Sequence, residues 1–309
     1  YLPNPELFEV AVVCDLDAAR AAPLCAKAKA EHLASLAATL ARPDLDIVDI
    51  CLPPQLHKAA ILGALAAGKH VVCEKPLVGS LADLDDVQAA ADRSDRLVMP
   101  VFQYRFGQGL GQLVSLIERG LAGPPLVATL ETHWNRPAAY YDVPWRGKWA
   151  SELGGAIVGH AIHIHDLVVR VLGPVRAVSA KLATRVNPIE VEDCAAIVLE
   201  TASGALVTSS VTLGAADDRS RLRFCFPAEQ AAIDEVIAAY PPHAEGSARQ
   251  FELFHAALRT GSPPPVTLAD ARASLELITA IYEADATGRR VELPLPPTAP
   301  GYAGWVPPR

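Results

Sequence analysis

The chain has 309 residues, 51% apolar and 20% charged, which supplies a substantial core and excludes global disorder. That length exceeds what one core usually fills, so two domains are expected. A net charge of −8, with no basic stripe interleaved with aromatics, argues against nucleic acid as a partner. The six cysteines (Cys14, Cys25, Cys51, Cys73, Cys194 and Cys225) include no C-x-x-C pair, and four of them (14, 51, 73 and 225) fall in apolar, strand-like runs. Buried free thiols in a reducing compartment fit this better than a disulfide framework or a zinc site. No apolar stretch stands out at the roughly 18 residues a membrane span needs, and no charged-then-apolar leader opens the chain. A cytoplasmic protein without membrane contact is expected.

In chain order, Phe8 to Cys14 reads as a strand ending at Asp15, and Asp17 is placed to cap an alanine-rich helix. An acid at that strand tip in a dinucleotide fold hydrogen-bonds the adenosine ribose and repels a 2′-phosphate; a cap or turn residue is the plainer alternative. A helix is expected around Leu33–Ala41, then a buried strand from Ile47 to Leu52 closed by Pro53-Pro54. His57 begins a helix that ends at Gly68, a C′ glycine. The run Lys69 to Cys73 is a buried strand, stopped abruptly by Glu74-Lys75-Pro76. Open α/β sheets bind ligands at the carboxyl ends of their strands, which is where Glu74 and Lys75 fall. A lysine there can be a general acid, an electrostatic clamp or a solvated cation. A helix over Leu81–Arg93 and a strand over Leu97–Phe102 complete a parallel, doubly wound pattern over residues 1–103.

The pattern changes over residues 104–309. A helix (Gly111–Gly120) and an alternating strand (Leu126–Trp134) precede a Trp/Tyr/Arg/Pro-rich loop, Trp134–Trp149, placed to cover a site. Residues 156–172 are helical up to Gly173-Pro174. Strands over Val175–Arg185, Cys194–Thr201, Ala205–Leu213 and Arg221–Phe226 make a large open, mainly antiparallel sheet. Helices at 246–260 and 268–287, split by Gly261-Ser262-Pro263-Pro264-Pro265, lead to a Pro-rich extended arm. No G-x-G-x-x-G precedes Asp15, and Asp15 to Cys51 offers no obvious further strand. The numbering is therefore expected to run over omitted segments, the first strand and its glycine-rich turn among them.

In this order, Cys14-Asp15-Leu16-Asp17, Cys51-Leu52-Pro53-Pro54-Gln55-Leu56-His57 and Ala67-Gly68-Lys69-His70-Val71-Val72-Cys73-Glu74-Lys75-Pro76-Leu77 resemble the Gfo/Idh/MocA oxidoreductases. The likeness runs on through Trp145-Arg146-Gly147-Lys148-Trp149, Gly154-Gly155 and His160-Ala161-Ile162-His163-Ile164-His165-Asp166-Leu167. The resemblance implies a Rossmann domain followed by an α/β domain whose open sheet serves homo-oligomer contacts, as a dimer or tetramer. It implies NAD, NADP being less favoured by Asp15, and hydride transfer at a hydroxyl-bearing carbon of a sugar, cyclitol or related polyol. By the same resemblance Asp15 holds the adenosine ribose, Pro53, Pro54, His57 and Gln103 border the cofactor, and Glu74 contacts the nicotinamide-side ribose. Lys75 serves both nicotinamide and reacting hydroxyl, Trp145 and Arg146 approach the cofactor from the second domain, and His163 transfers the proton.

Physical chemistry agrees with those roles. Hydride can leave an alcohol carbon only as its hydroxyl proton leaves, which asks for a base such as histidine, and an ammonium at Lys75 would stabilise the developing alkoxide. His160, His163 and Asp166 share a helix face, so a zinc site must be weighed; without a glutamate between the histidines or nearby cysteines, no metal is expected. Many relatives carry an aspartate four residues before the histidine, where this chain has Gly159. His160, Tyr140, Tyr141 or water are then the candidates for the proton relay. Arg105, Tyr140, Tyr141 and His160, with His133, Arg136 and Asp142, are candidate hydroxyl readers, though loop placement accounts for them equally. Two alternatives remain open: a glycosidase or epimerase working through a transient ketone on tightly held NAD, and a non-catalytic NAD(P)-sensing regulatory protein.

Overall fold

Short Val/Ile runs alternating with alanine-rich helices produce parallel strands joined by crossovers. The computed structural model describes residues 4–305. β1 (Val12–Cys14), α1 (Ala18–Ala28), β2 (Glu31–Leu33) and α2 (Leu36–Leu40) come first. β3 (Ile47–Ile50), α3 (His57–Ala66), β4 (His70–Cys73), α4 (Leu81–Ser94) and β5 (Val98–Pro100) follow. β1 and β2 pair in parallel as one sheet, and β3, β4 and β5 as a second with β4 central. The doubly wound order 3-2-1-4-5-6 places one strand between two such groups. Among the described residues no strand joins them.

Three expectations change here. The strand expected from Phe8 shrinks to Val12–Cys14. The helix expected from Leu33 begins at Leu36, because Ser35 caps it by accepting the Ala38 N–H at 3.3 Å. That frees Glu31–Leu33 to pair with β1 and form a strand the sequence did not advertise. Of the cysteines expected to be buried, Cys73 is, whereas Cys14 and Cys51 are exposed, each lying at the carboxyl end of its strand. The Asp17 cap forms as expected, accepting from Ala19 at 2.9 Å and Arg20 at 3.2 Å.

The second half opens with α5 (Gln108–Glu118), β6 (Val127–Asn135) and the short α6 (Trp149–Glu152). A π-helical turn, Ile157–Ala161, runs into α7 (Ile162–Leu172). Then come β7 (Val175–Ala183), β8 (Cys194–Thr201), β9 (Leu206–Thr212), β10 (Gly214–Cys225), α8 (Gln230–Ala239), α9 (Gly246–Thr260), α10 (Leu268–Thr287) and β11 (Val291–Glu292). The six-stranded sheet has the order β10-β6-β9-β8-β7-β11, antiparallel except for the parallel β6–β9 pair. β10 starts earlier than expected, with an irregular register between Gly214 and Arg219. Alternation puts Ala128, Leu130, Ile197, Leu199 and Val207 on the buried face and leaves Val127, Val198 and Leu206 exposed on the other.

No stretch was expected to be apolar enough for a membrane span, yet Trp149–Leu172 is, by length and composition. Its apolar side chains are spent on the core, since 83% of the window lies buried inside the fold. One hydrophobic cluster runs from Val71, Leu84 and Met99 in the first half to Phe254, Leu277 and Ile281 in the second. The carboxyl-terminal arm docks along both halves. Ala82 N–H donates to the Tyr302 carbonyl at 3.0 Å, Tyr302 donates to Asp85 at 2.9 Å, and the Trp305 indole donates to the Leu153 carbonyl.

Arg105 does not sit as a hydroxyl reader. Its Nε and Nη2 grip both Asp166 oxygens at 2.6 Å and its Nη1 reaches Asp270 at 2.8 Å, so each guanidinium nitrogen is engaged by a carboxylate. Ser274 adds a hydrogen bond to Asp166 at 2.9 Å. Burial pushes the Asp166 carboxyl above its ordinary value and the Arg105 contacts oppose that shift. The cluster pins Gln103–Phe106 to α7 and α10. Because Asp166 is 1% exposed, Asp166→Ala leaves a buried guanidinium short of its main partner and should lower stability by roughly 3–5 kcal/mol. Urea unfolding measures this; a loss below about 1 kcal/mol, typical of an exposed pair, would show the cluster to be incidental.

Candidate functional site

β4 ends where Pro76 interrupts pairing, which delivers Glu74 and Lys75 to the carboxyl edge of the sheet beside the tips of β3 and β5. Lys75 reaches out of this half, and its Nζ donates to the Gly159 carbonyl in the π-helical turn at 2.5 Å. Burial pushes its ammonium below the ordinary lysine value; Glu74 and Glu152 pull it back up, and Arg146 lowers it. Glu74 is half-buried, with Oε2 3.2 Å from the Lys75 N–H. His57, expected to border the cofactor, lies fully buried beneath the edge. Its ring nitrogens sit 2.8 Å from the Pro76 carbonyl and 2.7 Å from that of Leu52, so it ties two strand-tip loops together.

The helix carrying the histidines begins against a buried carboxylate. Glu192 accepts from Gly155 N–H at 3.0 Å, Ile157 N–H at 2.9 Å and the Tyr282 hydroxyl at 2.9 Å, an anion seated on a helix N-terminus. Burial pushes Glu192 up to about 7 against those bonds. The approach is so close that a Cβ on Gly155 would fall 1.8 Å from the Glu192 carbonyl oxygen, so only glycine fits. π-turns of this kind concentrate at functional sites.

His163 is 5% exposed and stacks on Tyr104, centroids 4.6 Å apart and planes 18° from parallel. Burial, then the Lys75 charge, holds it down to about 3, so the imidazole is neutral at physiological pH. His160 is held well below its ordinary value by burial, then Lys75, Arg136, His163 and Arg146. Arg136 Nε donates to His160 Nε2 at 3.2 Å, which leaves the proton on Nδ1, a buried atom without a partner. His165 turns the other way and meets the Ser209 hydroxyl at 3.0 Å. Asp166, weighed as a zinc ligand with His160 and His163, faces Arg105 and Ser274 instead.

The loop after β6 brings aromatic rings and cations over this helix. Arg146 lies 3.6 Å over the Tyr140 ring and 5.2 Å over Trp145, and Arg136 sits 4.8 Å over Trp134 while pairing with Asp218. Tyr140 packs on His160 at 5.9 Å and edge-on to Tyr141 at 5.1 Å. Burial pushes both phenols above their ordinary values. His133 lies apart, on the outer sheet face against Ser210, and Asp142 is exposed.

The residues present fit a dinucleotide along the sheet edge. Asp15 stands at the tip of β1, where it accepts the Asp17 N–H at 2.8 Å and pairs with Arg20 at 3.3 Å. Leu16 (89% exposed) beyond the tip of β1, and Leu52 and Leu56 on either side of Pro53 and Pro54, leave apolar surface uncovered, suited to a flat apolar ligand. Two buried polar atoms at the edge lack partners, Gln103 Oε1 and Arg146 Nε. Sequence reasoning missed Tyr104, whose stacking partner lies across the fold, and Glu152, a single acid in a four-residue helix. Glu152 is 6% exposed and accepts the Gly147 N–H at 2.5 Å.

Residues 2–102 match the oxidoreductase family model with an NAD-binding Rossmann fold, and residues 111–232 match the GFO/IDH/MocA C-terminal domain. Inositol 2-dehydrogenase 3 of Saccharopolyspora erythraea is 36% identical over 121 residues, 39% of this chain and 36% of that protein. Levoglucosan dehydrogenase of Pseudarthrobacter phenanthrenivorans is 30% identical over 144 residues, 46% of this chain and 37% of that protein. The matched part spans less than half the length of these curated relatives. The WlbA dehydrogenase of Bordetella pertussis, solved with NADH and UDP-GlcNAcA, superposes with TM-score 0.83 at 27% identity, covering 93% of this chain and 91% of that one. A levoglucosan dehydrogenase solved with NADH and levoglucosan shares the fold at TM-score 0.81 and 20% identity, covering 95% of each chain. With its Rossmann half and its sheet half both matched, this chain belongs to the Gfo/Idh/MocA oxidoreductase family.

Proposed function

We propose that the protein is an NAD-dependent oxidoreductase acting on a hydroxyl-bearing carbon of a sugar, cyclitol or related polyol. The observation that carries the reading is the Lys75 ammonium, set on the turn that leads into His163 at the open edge of an NAD-binding fold. When bound, NAD supplies the hydride acceptor. Asp15 holds the adenosine ribose, Pro53, Pro54 and Gln103 line the cofactor edge, and Glu74, Trp145 and Arg146 close around the nicotinamide end. His163, kept neutral by burial, accepts the hydroxyl proton. Lys75 donates to the reacting oxygen and stabilises charge as it develops there. Tyr140, Tyr141 and His160 line the same space and orient the ring hydroxyls. Six free cysteines support work in a reducing compartment, as in the cytoplasm. A homo-oligomer through the exposed sheet face, where Val127 pairs beside Leu206 and Val198 stands two residues along, completes the reading.

Three outcomes test it. In a screen of polyols with NAD and NADP, the wild type should form NADH; Lys75→Ala should lower kcat by roughly 10²–10³-fold and His163→Ala by about 10²–10⁴-fold. Turnover without net NADH would favour the glycosidase or epimerase chemistry, and function untouched by both substitutions would favour a sensor. In the pH profile of polyol oxidation, the acid limb should lie far below neutrality, toward the His163 value of about 3, because the base is already unprotonated above it. The alkaline limb should lie below the ordinary lysine value of 10.5, since burial makes Lys75 lose its charge early. Sedimentation equilibrium should show a dimer or tetramer that Val198→Lys weakens; a wild-type monomer would refute the sheet interface.

A further inference from the structure

Glu152 is a buried acid that its visible hydrogen bond does not explain. It ends α6, is 6% exposed, and uses one oxygen, Oε2, to accept the Gly147 N–H. An uncharged amide could accept that bond equally well, and burying a carboxylate for a single neutral donor is costly. Among the described residues no lysine or arginine forms an ion pair with it, and Oε1 accepts no hydrogen bond. Oε1 points instead at Gly159: a Cβ on that glycine would stand 3.7 Å away in ordinary contact. Gly159 is also the residue whose carbonyl holds the Lys75 ammonium. The free carboxylate oxygen and the ammonium therefore flank the same stretch of backbone from opposite halves of the molecule.

The electrostatics agree in both directions. Glu152 raises Lys75, and Lys75, after the Gly147 bond and Arg146, lowers Glu152. The charged and titratable groups facing Lys75 are Glu74 on its own loop, Glu152 from α6, Arg146 from the aromatic loop, and His160 and His163 from the helix. Of these, only Glu74 and Glu152 are acids, and only Glu152 comes from the second half.

We propose that Glu152 is the positioning residue for Lys75: its carboxylate, reaching through the side-chain space that Gly159 leaves open, is the counter-charge that holds the Lys75 ammonium at the reacting centre. This deepens the oxidoreductase reading and rests on the role given there to Lys75. It also accounts for the glycine. A carboxylate carried on the helix at 159 would occupy the space that Glu152 fills from α6, so either position can supply the charge but not both.

The experiment measures Lys75 directly in the unliganded protein. Competitive acetylation with acetic anhydride across pH, followed by peptide mass analysis, reports the pH at which the Lys75 amine becomes reactive. In Glu152→Gln, which keeps the shape and an acceptor for Gly147, that midpoint should move to lower pH. kcat should fall about tenfold or more, as when one electrostatic contact to the reacting oxygen is lost, with KM for NAD unchanged and the alkaline limb displaced to lower pH. Gly159→Asp in the Glu152→Gln background should move the midpoint back toward wild type and recover part of kcat. An unchanged Lys75 midpoint in Glu152→Gln, with only a lower melting temperature, would overturn the proposal and leave Glu152 a scaffold residue. If no polyol is oxidised by the wild type, the oxidoreductase reading fails, while the acetylation profile still decides for or against the Glu152–Lys75 pairing.

Discussion

The bond from the Lys75 ammonium to the Gly159 carbonyl is the constraint from which the site takes its shape. It crosses from the tip of β4 to the π-turn before α7, so a polar contact made inside the site joins two halves with different strand patterns. Lys75 has few alternatives: burial disfavours its charge, and the carbonyl with the nearby carboxylates restores part of what water would have given. The same ammonium helps to hold His160 and His163 in their neutral forms. Burial comes first in both, and the cation adds to it.

The helix end is held from behind by a second buried acid. Glu192 satisfies the Gly155 and Ile157 amides that a helix start leaves without partners, and Tyr282 shares the load from α10. Because Gly155 touches the Glu192 backbone so closely, the turn has almost no freedom to slide. The histidines project from a segment whose register is fixed on one side by Glu192 and on the other by Lys75. Arg105, with Asp166 and Asp270, performs the corresponding task one turn farther on, joining the linker after β5 to both core helices.

Much of this was legible in the residues. Helices 246–260 and 268–287 stand where the Gly/Pro breaker divides them, and the fold adds a Thr267–Asp270 capping box at the start of the second. Lys75 and His163 stand out in the sequence as candidates because a proline-stopped strand and an ordered set of motifs single them out; their adjacency belongs to the fold. Glu31–Leu33 was not legible, because Glu-His-Leu has no β-branched run and becomes a strand only by pairing with β1. Arg105 was misplaced for a related reason: its partners lie 61 and 165 positions along the chain, and no local pattern reveals a buried ion cluster. Glu152 was silent for the same reason, its neighbour Gly159 being informative only for what it lacks.

The arm at the carboxyl end has a mechanical consequence. It bonds to α4 through Ala82 and Asp85 and, a few residues later, to Leu153 and the Tyr282 ring, so it stitches the outside of the nucleotide half to the loop between α6 and the π-turn. Parting the two halves would break these contacts, so the arm works as a strap between them.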